Sequence, residues 1–160
     1  MPAENDFRKQ IKFRSARRED APLLVRLYND AFRADFLRFG QCPGYGRSVR
    51  QMEQSLQRYP KNIICFGAIP VGVLSARERG DGNVDLGCLC VIPEYQGRGI
   101  GTLAMEELER MFPEWKRIEL VTPAEKQENI RFYTLRGFEL AGEKTDGSVR
   151  VVNLVKKRML

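Results

Sequence analysis

The pattern of apolar and polar positions divides the chain into alternating and helical stretches with clear stops between them. Residues 11–14 alternate and predict a first strand. Leu23, Leu24, Leu27, Tyr28, Ala31 and Phe32 then recur at helical spacing, after Asp20 as a candidate cap and Pro22 in a permitted first turn. Phe36 and Phe39 extend that stripe weakly. Residues 40–48, GQCPGYGRS, are dense in turn formers and predict a loop. Ser48 reads as the cap of a second helix carrying Val49, Met52, Leu56 and Tyr59, which Pro60 stops. Residues 62–66 and 71–79 predict strands, and Asp81-Gly82 marks a hairpin turn. The near-continuous apolarity of residues 84–91 predicts a strand buried on both faces.

A third helix is expected over residues 99–112, with Leu103, Met105, Leu108, Met111 and Phe112 toward its neighbours and Pro113 ending it. A strand at 118–121 follows, then a short helix over 129–136 closed by Gly137. Residues 138–144 and 149–155 complete the chain as a hairpin turning at Asp146-Gly147. This order predicts an α/β (α+β) fold: a mixed, mostly antiparallel sheet of about seven strands flanked by about four helices. Residues 1–10 are polar and expected to be a flexible arm, with residues 11–160 forming a single domain.

Composition narrows the chemistry. The net charge is +6 over 160 residues. Lys and Arg are spread along the chain with Asp and Glu between them, which suits a solvated surface that attracts an anionic cofactor and argues against a nucleic-acid partner. No apolar run approaches a membrane span and residues 1–10 carry no signal core, so no membrane partner and a cytoplasmic location are expected. The absence of His removes Ser-His and Cys-His dyads, leaving Tyr, Asp, Glu, Cys, Lys or water as acid and base. Cys88 and Cys90 read as small apolar residues on a strand. Without His or a second Cys pair they make a zinc site improbable, and no metal is expected.

Residues 84–112 concentrate what chemistry can be read. An apolar run, the turn Gln96-Gly97-Arg98-Gly99-Ile100-Gly101-Thr102 and a helical pattern together describe a buried strand, a glycine turn and a helix beginning inside that turn. Free N–H groups and a partial positive charge at the helix start suit a phosphate or diphosphate. The glycine spacing is neither the dinucleotide fingerprint nor a Walker loop.

The segment VIPEYQGRGIGTLAMEELE at 91–109 resembles the acyl-CoA-binding motif of the GCN5-related N-acetyltransferases, the GNAT superfamily. NIRFYTLRGF at 129–138 is similar to that family's next segment, a short helix with a Tyr before Gly-Phe. The resemblance covers nearly the whole chain and implies a GNAT-like fold and an N-acetyltransferase. Such an enzyme moves an acetyl group from acetyl-CoA to a primary amine of a small molecule, amino sugar or peptide by direct attack in a ternary complex. Gln96, Gly97, Arg98, Gly99, Ile100, Gly101 and Thr102 would then hold the diphosphate. Arg98 would add a contact or simply face solvent, and Gln96 would hold the loop or touch a phosphate oxygen. The main chain of Leu89, Cys90 and Val91 would pair with the pantetheine arm. An N–H near Leu89 or Cys90 would polarise the thioester carbonyl.

By the same resemblance Tyr133 protonates the departing CoA thiolate, and Asn129 bonds the cofactor arm or caps its helix. Loop 40–48 borders the acceptor, with Tyr45 and Arg47 as its reaching side chains. Asp85 is the candidate base, with Glu119 or a water relay as alternatives. The pattern departs from the family's commonest form, which has Asn seven residues before the Tyr and a small residue four before it; here those positions are Lys126 and Asn129. Some sugar-amine acetyltransferases look similar to this version. A homodimer is possible on the same grounds. The alternative function is a CoA-binding sensor without turnover.

Overall fold

The computed structural model describes residues 2–159, with residues 2–5 described by their backbone alone. Where a loose arm is expected the chain forms helix α1, Pro2–Gln10, before strand β1, Ile11–Ser15. A single aromatic in a polar stretch leaves no periodicity to read; here Phe7 anchors the helix by stacking on Phe66 at 5.1 Å. Helix α2, Ala21–Phe39, has Pro22 in its first turn and stops at Gly40, whose φ of 77° is left-handed. Asp20 does not cap it. Its carboxylate accepts instead from Arg14 at 2.9 and 3.2 Å and from the Arg17 amide at 2.8 Å.

Helix α3, Val49–Arg58, opens on a reciprocal cap, with Ser48 Oγ accepting from the Gln51 amide and Gln51 Oε1 from the Ser48 amide. Strands β2, Lys61–Phe66, β3, Ile69–Gly80, and β4, Asn83–Val91, follow, with Asp81 at a φ of 55° in the turn between β3 and β4. Helix α4 is Ile100–Met111, β5 is Arg117–Pro123, α5 is Gln127–Thr134, and β6, Glu139–Asp146, and β7, Val149–Lys157, close the chain.

The seven strands form one sheet in the order β1-β2-β3-β4-β5-β7-β6. β1–β2, β2–β3, β5–β7 and β6–β7 are antiparallel, whereas β4 pairs with β5 in parallel from Asn83–Arg117 to Asp85–Glu119. This mixed sheet with its helices is the fold class that the apolar pattern predicts. One detail differs. β4 is not buried on both faces: Val84, Leu86 and Cys90 are buried, but Gly87 is exposed and Cys88 and Leu89 are half-buried. Apolar character there serves one face of the sheet, and the other is left accessible.

The chain forms two compact units. The first runs to Ala76 and includes Cys88–Met111; its core joins Leu24, Leu27 and Tyr28 of α2 and Met52 of α3 to Ile63, Ile64, Val73 and Leu74 of the sheet. The second holds Arg77–Gly87 and the chain from Phe112 onward, with Ile118, Leu120, Phe138, Val152 and Leu154 in its core. Among the described residues no helix is long and apolar enough to cross a membrane.

Candidate active site

In the first unit β4 runs through a short 3-10 turn, Pro93–Tyr95, into the glycine turn that opens α4. Gly97 and Gly99 adopt φ of 73° and 86°, which L side chains resist, and a Cβ built on either meets nothing within 4 Å. The outer face of the turn is therefore unfilled. Below it Ile100 is buried, and the Gly99 carbonyl accepts from the Leu103 amide, fixing the first turn of α4. Gln96 Nε2 donates to the Val91 carbonyl at 2.8 Å, so this side chain ties the loop to the end of β4. Gly101 lies inside the helix together with Thr102. An open glycine cradle at a helix N-terminus fits a diphosphate by main-chain N–H donation.

The exposed Arg98 is not simply a solvent charge. Its guanidinium lies over Phe7 at 4.0 Å from the ring centroid and near Tyr95 and Phe66, at 5.5 and 5.9 Å. The stacked face is occupied, while the N–H edge of a planar guanidinium stays available. Behind the turn β3 presses closely on β4. The Ile92 amide donates to the Val71 carbonyl at 2.8 Å, and a Cβ at Gly72 would stand 2.3 Å from the Cys90 carbonyl oxygen. Leu89, Cys90 and Val91 thus take their main-chain course from a neighbour without a side chain.

Loop 40–48 folds back on α2. The Gly46 amide donates to Asn29 Oδ1 at 2.8 Å, Tyr45 stacks on Phe36 at 4.7 Å, and Gly44 is buried against Phe32. Arg47 donates from Nε to the Pro43 carbonyl at 3.0 Å and from Nη1 to Ser55 Oγ at 3.1 Å, with its Cζ 5.3 Å from the Tyr28 ring centroid. Lys61 reaches the same ring, with its Nζ 5.8 Å from the centroid, and donates to Ser75 Oγ at 3.0 Å. Burial brings the Lys61 ammonium down to about 8, with Arg47 adding to the fall and the Cys88 and Cys90 thiols opposing it. The Tyr28 phenol is 1% exposed, and its oxygen has no hydrogen-bond partner. Burial, reinforced by Cys88 and Cys90, raises that phenol well above its usual range, so it stays a donor.

Tyr28, Lys61 and Cys88 escape sequence reasoning as a cluster. Tyr28 sits on an apolar stripe and Cys88 reads as filler. The one available signal is Lys61, a charge directly before the buried run of β2.

In the second unit Tyr133 is buried near the end of α5, edge-on to Phe132 and Phe138 at 5.0 and 5.3 Å between centroids. Asn129 neither caps α5 nor faces away from the sheet; its Nδ2 donates to Thr122 Oγ1 of β5 at 3.2 Å. Asp85 is gripped by arginines, Arg79 Nε at 2.7 Å and Arg77 Nε at 3.5 Å. Glu119 is its register partner across the ladder and pairs with Arg79 at 3.0 Å and Arg117 at 2.6 Å. The structure therefore joins the two candidate bases in one ion-pair network.

The fold has many solved counterparts. An acetyltransferase from Thermus thermophilus superposes with a TM-score of 0.76 at 21% identity, covering 93% of this chain and 97% of that one. The PaiA N-acetyltransferase from Thermoplasma acidophilum, solved in complex with coenzyme A, gives 0.75 at 18% identity, covering 92% and 99%. YncA from Salmonella typhimurium, solved with its cofactor acetyl-CoA, gives 0.70 at 14% identity, covering 92% and 94%. At such identities the likeness is one of fold. No curated protein sequence matches the chain. The model of the acetyltransferase (GNAT) family, however, matches residues 23–138, which take in the glycine turn, the strand before it and the helix carrying Tyr133. The chain belongs to the GNAT acetyltransferase family.

Proposed function

We propose that the protein transfers an acetyl group from acetyl-CoA to a primary amine by direct attack within a ternary complex. The observation that carries this reading is the open-faced glycine turn between β4 and α4, whose Cβ positions at Gly97 and Gly99 are empty. The N–H groups of residues 97–102 would hold the diphosphate, that of Gln96 being donated to the Pro93 carbonyl, and Arg98 would add its N–H edge while its face stays on Phe7. The Leu89, Cys90 and Val91 main chain would pair with the pantetheine amides as an added strand does. Acetyl-CoA supplies an activated acyl group. A main-chain N–H near Leu89 or Cys90 would stabilise the developing charge on its carbonyl oxygen.

As the amine nitrogen bonds to the carbonyl carbon, the carbon–sulfur bond breaks and the Tyr133 phenol donates a proton to the sulfur. The amine's surplus proton leaves through water. Asp85 is the less favoured acceptor, because Arg79 and Arg77 occupy its oxygens and an ion pair has to open before it takes a proton. Asn129, engaged with Thr122, positions α5 against β5 and is not proposed to touch the cofactor arm.

The test is release of free thiol from acetyl-CoA against a panel of small amines, amino sugars and short peptides, beside CoA affinity by calorimetry. Release with at least one amine supports transfer. Tight CoA binding with no release on any amine replaces the enzyme by a CoA sensor, and absence of CoA binding removes the site itself.

A further inference from the structure

We infer that the acceptor amine carries a carboxylate, seated between Arg47 and Lys61 beside the Tyr28 phenol. This rests on the acetyl-transfer reading and names the class of molecule that would enter that site.

Two cations approach a single ring. Arg47 Cζ and Lys61 Nζ lie 5.3 and 5.8 Å from the Tyr28 centroid, and Lys61 is only 4% exposed. A buried ammonium costs free energy unless a counter-charge meets it. No carboxylate among the described residues pairs with either group; their partners are Ser75 Oγ, Ser55 Oγ, the Pro43 carbonyl, the Met52 sulfur and aromatic rings. Hydrogen-bonding capacity is left over as well. The Lys61 ammonium has three protons and one described acceptor, and Arg47 bonds through Nε and Nη1, which leaves its Nη2 edge. The Tyr28 hydroxyl is buried with no oxygen or nitrogen partner; beside it is the Cys88 thiol, drawn below its usual pKa by Cys90 and then by Tyr28, Lys61 and Arg47. A surplus of positive charge and of donors is complementary to an anion.

The place and the size of this surplus select the anion. Lys61 and Tyr28 sense the thiols of Cys88 and Cys90, which flank Leu89 on β4, the stretch proposed to hold the thioester end of the cofactor. A group bound here belongs to the acceptor and lies close to its amine. The spare donors are one ammonium, one guanidinium edge and one hydroxyl, with no helix N-terminus or run of main-chain N–H groups among them. That set matches the two oxygens of a singly charged carboxylate better than a phosphate dianion.

The test follows thiol release with matched acceptors: glycine, β-alanine, 4-aminobutanoate and α-amino acids, each beside its carboxamide. At least one acid is expected to exceed its amide about 10-fold or more in kcat/KM, the scale of a charge-assisted hydrogen bond in a partly buried site. Arg47→Gln is expected to bring that ratio close to one, and Arg47→Lys, which keeps the charge and loses the planar edge, to fall between. Equal kcat/KM within every pair overturns the carboxylate and leaves acetyl transfer standing.

If no amine releases thiol, the transfer reading fails by itself, and the seat is read from calorimetry with the N-acetylated acids. Tighter binding to the wild type than to Arg47→Gln supports it, and equal or absent binding overturns it. These acids have no amine to titrate, so their pH dependence is informative. Lys61 is faced by Arg47 from the loop, Tyr28 from α2, Tyr59 after α3, and Cys88 and Cys90 from β4. An arriving anion raises its pKa from about 8, so binding takes up a proton above that pH and affinity falls as pH rises through it. Affinity that stays flat from pH 7 to 9.5 counts against Lys61 as half of the seat.

Discussion

A phenol that protonates a thiolate has to be kept in one place and shielded from bulk water, and Tyr133 meets both conditions. It is 6% exposed and held edge-on by Phe132 and Phe138. Tyr133→Phe keeps the ring and removes the hydroxyl that carries the proton. Turnover is expected to drop by about 100-fold, within the range of general acid catalysis, with CoA affinity nearly unchanged in calorimetry. A fall in both would make Tyr133 a packing residue alone. Asp85 gives the opposite expectation. Its carboxylate is committed to Arg79 and Arg77, so Asp85→Asn should lower thermal stability while preserving the shape of the pH–rate profile; loss of the acidic limb would restore it as the base. Such commitments are what the sequence hides. Positions 85, 119 and 129 are visible as polar residues on strands and a helix, but Arg79, which pairs with both Asp85 and Glu119, and Thr122, which holds Asn129, lie on other elements whose register only the fold supplies.

At the scale of elements most of the architecture was legible. Ser48, Pro60, Asp81-Gly82 and Gly137 punctuate the chain by local backbone chemistry, and each stop is found within a few residues of its expected place. Close approach of two strands is not local, and Gly72 shows the difference. Read along the chain it is one glycine in an apolar strand; in the fold it is the position that lets β3 run against the Cys90 carbonyl. Gly72→Ala places a methyl 2.3 Å from that oxygen, so β4 has to shift where Leu89, Cys90 and Val91 would hold the pantetheine arm. We expect a loss of about 1–3 kcal/mol in denaturant unfolding together with weaker CoA binding. Ser48→Ala is the matched control: it removes the α3 cap at a cost of about 1 kcal/mol and should leave CoA affinity alone. If Gly72→Ala merely destabilises, as Ser48→Ala should, the β4 main chain is not part of the cofactor site.

For the whole molecule the relevant quantity is charge. Spread over the chain, a net +6 cannot single out a binding face, which is why composition announced an anionic partner without saying where it goes. In the proposed reading the glycine turn would supply the place through main-chain dipoles, whose reach is one helical turn and which act only after contact. The two effects separate in kinetics. Long-range attraction of a polyphosphate ligand is screened over about 10 Å at 0.1 M salt, whereas N–H groups in contact with the diphosphate are screened far less. Raising NaCl from 20 to 300 mM should therefore slow CoA association several-fold in stopped-flow and change its dissociation much less. The substitution Gly99→Val should act on the other rate constant. A bulky side chain in the open cradle leaves the distributed charge as it was, so association keeps its salt dependence while dissociation accelerates. If salt acts mainly on dissociation in the wild type, the diphosphate is held by surface side chains, and the turn between β4 and α4 loses its role.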